Sequence, residues 1–282
     1  MISKTFRYVN DLGGELVFDY AHGFLLNLPD GVDTISVNLS TAQGINQVGA
    51  TVQAKQIQVR PITISGKIVG NDAQVLKDSL VSVVRADVGG ILYADDWRIT
   101  VVVTATPTIG PEPMGASFQF SATAPYPYWV SNSEKSSMIT GITPGFRFPW
   151  NISRPYRFGT RAIGQYVVVP NKGQTDVPFV VEIACLGASA SNVRIDNILT
   201  QEYLLLEKSL VEGEVVTINV THDRTYVTSS VDGDCRGALT LESTLFRLHT
   251  GDNVWKASAG SGIDNLDIGV SYAEESGGIT VV

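Results

Sequence analysis

Apolar side chains recur along this chain in short alternating runs, separated by clusters of Gly, Pro, Asn and Asp. Alternation at period two places every second side chain on one face, the pattern of antiparallel strands with one face buried. Phe6 and Tyr8 alternate, 11–14 supply turn residues, and Leu16, Phe18 and Tyr20 return on one face, which predicts an opening hairpin. Further strands are predicted over 35–39, 57–69, 91–94, 98–103 and 118–122. One helix is predicted among them, over about 71–88. Asn71 caps its start, Gln74 reaches back in a capping-box arrangement, Leu76, Leu80, Val83 and Val84 form an apolar stripe, and Gly89 with Gly90 ends it. Between 40 and 55 the periodicity weakens in a stretch rich in Gly, Gln, Ala and Thr, which reads as a long arm or hairpin available for contact with another molecule.

From 131 to 161 the character changes. Pro144, Gly145, Pro149, Pro155 and Gly159 interrupt regular pairing, so a domain boundary is expected there. The division is an N-terminal β domain over 1–135, a Pro/Gly-rich linker over 136–160 and a second β domain over 161–282. Ten short strands are predicted in the latter, over 166–169, 180–186, 193–196, 202–206, 215–220, 225–228, 239–241, 246–248, 254–257 and 266–272, the spacing of a β-sandwich. Within it, 245–255 reads as strand, turn and strand, with the turn at 251–253 and with Leu248 and Trp255 in the core. The fold class is therefore mainly β in two domains, the first a sandwich or barrel-like domain with one α-helix.

Composition narrows the chemistry. At 282 residues, 44% hydrophobic and 17% charged, the chain is expected to fold throughout. Its net charge is 20 − 28 = −8, and no run of basic residues marks a nucleic-acid footprint. The N-terminus has no apolar stretch of signal-peptide length and no apolar run is long enough to span a membrane, so a soluble protein made in a cytoplasm, without membrane insertion, is expected. Cys185 and Cys235 stand far apart, as free thiols rather than a zinc pair. None of His22, His222 and His249 lies at a metal-binding spacing, and Ser191 stands where the second glycine of a nucleophile elbow belongs. The pairs Asp95 with Asp96, Asp232 with Asp234 and Asp264 with Asp267 offer carboxylates for calcium or glycosidase chemistry, but each falls where a turn is expected, and Asp is favoured there by its bond to local backbone. The run Tyr126, Pro127, Tyr128, Trp129 reads as a packed strap between domains rather than a sugar platform. No catalytic residue, metal site or cofactor is expected.

Five blocks, taken in order, resemble the distal tail proteins of long, flexible-tailed bacteriophages, the phage tail family. They are Arg60 to Gly66 before the helix; Gly90, Ile91, Leu92, Tyr93 with Asp96, Trp97, Arg98 after it; Phe118, Gln119, Phe120 leading to 125–129; Asn171, Lys172, Gly173 followed by Val177 and Pro178; and Phe246 to Trp255. The resemblance implies a viral structural protein of the virion, assembled in the bacterial cytoplasm. Its N-terminal domain would build a homohexameric ring joining the tail tube to the tail tip or baseplate, with DNA only passing through the channel. Its second domain would be a galectin-like sandwich that docks receptor-binding or baseplate proteins. Ser40, Gln43, Ile45, Gln47, Val48 and Gln53 would then be the arm that clasps a neighbouring subunit. The His, Asn, Pro, Arg run by which galectins read galactosides is missing, so a carbohydrate-binding module contacting cell-wall glycans through Trp255 is the alternative rather than the main reading.

Overall fold

A computed structural model describes residues 5–70, 72–112, 115–144, 159–162 and 166–280. The chain divides into two compact units, one of Met1–Asn132 with Glu275–Val282 and one of Ser133–Glu274. Both are built almost wholly of antiparallel strands.

The first unit opens with the expected hairpin, β1 (Phe6–Asn10) against β2 (Glu15–Phe18). Asn10 closes its turn: the side-chain oxygen accepts the amides of Leu12 and Gly14, and Gly13 takes φ +85°, the left-handed region that glycine tolerates. Tyr20, expected on the buried face, lies beyond the strand and is exposed. β3 (Phe24–Leu26), β4 (Val37–Ala42), β5 (Thr51–Ile57) and β6 (Arg60–Ile68) follow, then helix α1 (Ala73–Val83). β7 (Gly89–Ala94), β8 (Trp97–Glu112) and β9 (Gly115–Ala124) complete the sheet, and β10 (Trp129–Pro144) leaves the unit. The strand order is β2–β1–β7–β8–β9–β6–β3, with the start of β10 pairing the start of β8. Register breaks at Val103/Ala105 and Ala105/Thr108 in long β8 are bulges, the device by which a strand bends between two partners.

The helix is shorter than its pattern. Leu80 and Val84 are buried and Leu76 and Val83 half-buried, as the stripe requires. No capping box forms: the cap is Asp72, without a side-chain cap bond, and the Gln74 amide donates to Asp78 Oδ1 at 3.0 Å. Asn71 lies outside the described residues. Gly89 and Gly90 do not end the helix but open β7. Gly90 is required there by packing, because a Cβ would fall 2.7 Å from the Tyr8 ring. The core of this unit is aromatic. Phe18 packs edge-on against Phe24 at 5.3 Å and stacks with Phe118 at 6.0 Å, beside Phe6, Tyr8, Phe120 and Trp129.

Residues 275–280 return to this unit instead of closing the second, a difference from the division expected. The physical reason is a buried guanidinium. Arg60 donates to the carbonyls of Val32, at 3.1 Å, and of Gly277, while Trp129 Nε1 also donates to Val32 at 3.0 Å and the Ile279 amide adds a bond to the same carbonyl. Burial lowers the Arg60 pKa to about 10, which leaves it charged at neutral pH. Tyr126 bonds Glu275, so the aromatic strap ties segments of one unit. The expected linker is also partly regular: 136–144 continue β10, paired near its end with β11 (Gly159–Ala162), and 145–158 lie outside the described residues.

The second unit is a two-sheet sandwich around one core, mostly aliphatic with Phe179, Phe246, Trp255 and Tyr272 among it. Its further strands are β12 (Val167–Asn171), β13 (Phe179–Cys185), β14 (Ser189–Asn197), β15 (Glu202–Val211), β16 (Val215–Val220), β17 (Thr225–Ser229), β18 (Gly233–Asp234), β19 (Gly251–Ser261) and β20 (Leu266–Ser276). One sheet runs β18–β17–β16–β13–β20–β10 and the other β12–β19–β14–β15. The strict alternation of β13, Phe179, Val181, Ile183 and Cys185 inward, is what sequence periodicity predicts. The hairpin expected over 245–255 is absent. Residues 246–248 form no strand, Leu248 making an isolated bridge with Val177, and the supposed turn at 251–253 is the start of β19, paired with β12. The bend falls earlier, ending at Gly251 with φ +90°. Leu248 and Trp255 are both fully buried, as expected.

Candidate functional site

The arm predicted over 40–55 is a hairpin of its own. β4 and β5 pair only with each other, and every residue from Val37 to Ile57 is exposed except Ala42, which is half-buried. Ile45 and Val48 at the apex are 98% and 102% exposed, and Ser40, Gln43, Gln47 and Gln53 are exposed as well. The apex is nonetheless ordered by its own bonds. The Gln47 amide N–H donates to the Gly44 carbonyl, the Gly44 N–H donates to Gln47 Oε1 at 2.9 Å, the Gln43 side chain donates to the Gln47 carbonyl at 3.1 Å, and Gln47 Nε2 donates to Thr51 Oγ1 at 3.0 Å. Asn46 and Gly49 take positive φ, both residue types that tolerate it. Two free strand edges and two bare aliphatic side chains on a self-contained turn are an unfinished surface.

A second segment, 239–250 in the other unit, is tied down. The Thr240 and Thr244 amides donate to the carbonyls of Leu205 and Tyr203, and the Leu205 amide donates to Ser243 Oγ, so this segment covers the outer edge of β15. Phe246 fixes it to the core with its ring 5.4 Å from Phe179 and 5.6 Å from Trp255. His249 follows, Nδ1 3.0 Å from Asp176 and Nε2 2.7 Å from Glu202. Partial burial would lower its pKa, but the hydrogen bonds to Glu202 and Asp176 outweigh that and raise it. The carboxylates address opposite ring nitrogens, an arrangement that clamps a ring and does not converge on a cation.

The remaining candidates resolve into structure. Trp255 is fully buried between Phe179 and Phe246, the former edge-on at 5.0 Å, so it presents no ring face to a glycan. Asp95 sits at φ +49° in the β7–β8 turn and accepts the Thr5 amide; Asp264 lies in a single 3-10 turn, Ile263–Asn265. Asp232 pairs with Lys208, which also reaches buried Glu214 at 2.9 Å, and Ser229 donates to the same carboxylate. Burial would raise the Glu214 pKa; the bonds from Ser229 and Lys208 hold it below its ordinary value instead. No local pattern marks this network, because its members come from two strands, β15 and β17, and from the two turns that hold Glu214 and Asp232. His22 bonds Asp19, and Cys185 and Cys235 are free. Among the described residues no group of His, Cys, Asp and Glu could hold a metal ion, and no helix is long and apolar enough to cross a membrane. What stands out from the compact units is the exposed arm.

Residues 172–275 match the family described as siphovirus-type tail component, C-terminal domain. Among solved structures, the Dit protein of phage SPP1, described as a paradigm of the hub adsorption apparatus in phages infecting Gram-positive hosts, superposes with a TM-score of 0.68 at 13% identity, over 96% of this chain and 98% of that one. A chain of the phage P2 baseplate in its activated conformation with Ca matches with a TM-score of 0.53 at 11% identity, over 99% of this chain and 100% of that one. The same baseplate with Sr gives 0.52 at 11%, over 98% and 99%. No curated protein sequence matches.

Proposed function

We propose that this chain, whose residues 172–275 match the siphovirus-type tail component C-terminal domain family, is a distal tail hub: a homohexameric ring at the end of a phage tail, joining the tube to the tip or baseplate. The observation that carries this reading is the likeness in fold to the SPP1 Dit protein along 96% of the chain, which takes in the first unit as well as the family-matched second. The arm adds physical support. Strand edges left unpaired in the monomer are covered when identical copies associate head to tail, and a closed ring leaves none over. In this reading Ser40, Gln43, Ile45, Gln47, Val48 and Gln53 contact the neighbouring subunit, and DNA passes along the axis without being held, as suits a chain of net charge −8. The sandwich of the second unit serves as a docking platform for baseplate or receptor-binding proteins, the work is structural rather than enzymatic, and the protein resides in the virion after assembly in the host cytoplasm.

Native mass spectrometry of the full chain at micromolar concentration, with negative-stain images, tests the reading. Six copies in a ring with an axial opening are expected. A monomer under all salt conditions overturns it.

A further inference from the structure

We propose that the apex of the β4–β5 arm of one copy seats Ile45 and Val48 in the cleft between α1 and the β2–β3 turn of a second copy. The inference rests on the ring reading above and names the surface that receives the arm. The cleft, of about 730 Å³, is walled by β2, the turn that follows it and α1. Leu16, Leu76 and Val83 supply apolar surface, and Glu15, Asp72 and His22 stand among the lining residues. The turn packs closely on the helix: Gly23 takes φ +79°, a conformation that favours glycine, and a Cβ there would meet Leu76 Cδ1 at 2.6 Å and the Val69 carbonyl oxygen at 3.0 Å.

Three features of the arm fit this cleft. Its apex satisfies its own polar groups through Gln43, Gly44, Gln47 and Thr51, which leaves the two aliphatic side chains as what it has to offer a partner. That turn is already ordered, so little conformational freedom is lost on docking. The charge pattern also matches: no Asp or Glu occurs between Asp33 and Asp72 although the chain carries −8, and the arm bears Lys55 as its one charge. An acid-free arm approaches the Glu15 and Asp72 carboxylates without like-charge repulsion, which an average segment of this acidic chain would meet.

The test is a photo-crosslinking amino acid placed in the full-length chain as Ile45→p-benzoylphenylalanine, with crosslinked peptides mapped by mass spectrometry. Intermolecular crosslinks to 15–24 or 72–83 within an intact hexamer are the expected result. A hexamer whose crosslinks map elsewhere overturns the socket and leaves the ring reading standing; a chain that stays monomeric overturns both. In parallel, Ile45→Asp with Val48→Asp is expected to raise the concentration needed for assembly at least tenfold with an unchanged thermal melt, and assembly equal to the parent overturns the proposal. The reciprocal variant Leu76→Asp, checked for an unchanged circular dichroism spectrum, is expected to give the same shift from the other side.

Discussion

The arm at 37–57 and the segment at 239–250 are made of similar material, and they do opposite things. Both mix small polar residues with isolated aliphatics, and both hold a fully exposed one, Val48 in the arm and Leu241 in the segment. The segment is bonded along β15 and closes that edge, whereas β4 and β5 pair with each other and leave two edges open. The difference lies in anchorage. Phe246 and Leu248 carry the segment into the core of its own unit, while the arm sends no side chain inward. A loop with an anchor protects the monomer's edge; one without an anchor is left for a partner.

The comparison breaks first at Phe246. Phe246→Ala is expected to cost about 3–5 kcal/mol, through a cavity beside Phe179 and Trp255, and to expose the β15 edge. Chemical denaturation measures the loss, and hydrogen exchange at the Leu205 amide reports the edge. A cost under 1 kcal/mol would mean the anchor lies elsewhere. Asn253 is the next test. Its amide donates to the carbonyls of Val169, His249 and Gly251 and its oxygen accepts from Asn197, so Asn253→Ala strands several buried groups and should cost about 2 kcal/mol.

A smaller effect is expected from pH. The raised His249 pKa means that its two carboxylate bonds contribute fully below the ordinary value of 6.5 and that the contribution is lost as pH rises through the folded-state value. The urea midpoint should therefore fall from pH 5.5 to pH 8.5 by more in the parent than in His249→Gln, and equal falls would show that the clamp adds nothing. The smallest effect belongs to the arm. Ile45→Ser removes no packed contact, so monomer stability should change by less than about 0.5 kcal/mol, and a larger loss would show that the arm is supported by its own unit after all.

Much of this contrast is legible in the sequence. Weak periodicity over 40–55 marked the arm, and the burial of Leu248 and Trp255 followed from their pattern. What misled was turn chemistry. Gly251, Asp252 and Asn253 look like a two-strand connection, yet they begin β19, because Asn253 turns its amide inward to backbone carbonyls and β12 supplies a partner strand. The capping signal at Gln74 failed for a similar reason: its side chain turns to Asp78, one turn further along the helix. The His249 clamp and the Lys208 network had no local signal at all, since Asp176 and Glu202 stand 73 and 47 residues from the histidine they hold.

Period-two alternation and one amphipathic helix settled a mainly β fold, because which side chain faces the core is a local property of strand and helix geometry. Only the folded molecule decided that 275–280 complete the first unit, that Trp255 is sealed from solvent and that the two strands of the arm pair only with each other. Those depend on contacts between residues far apart in the chain: Arg60 reaching Gly277, Phe179 and Phe246 closing on Trp255, and nothing closing on Ile45 and Val48.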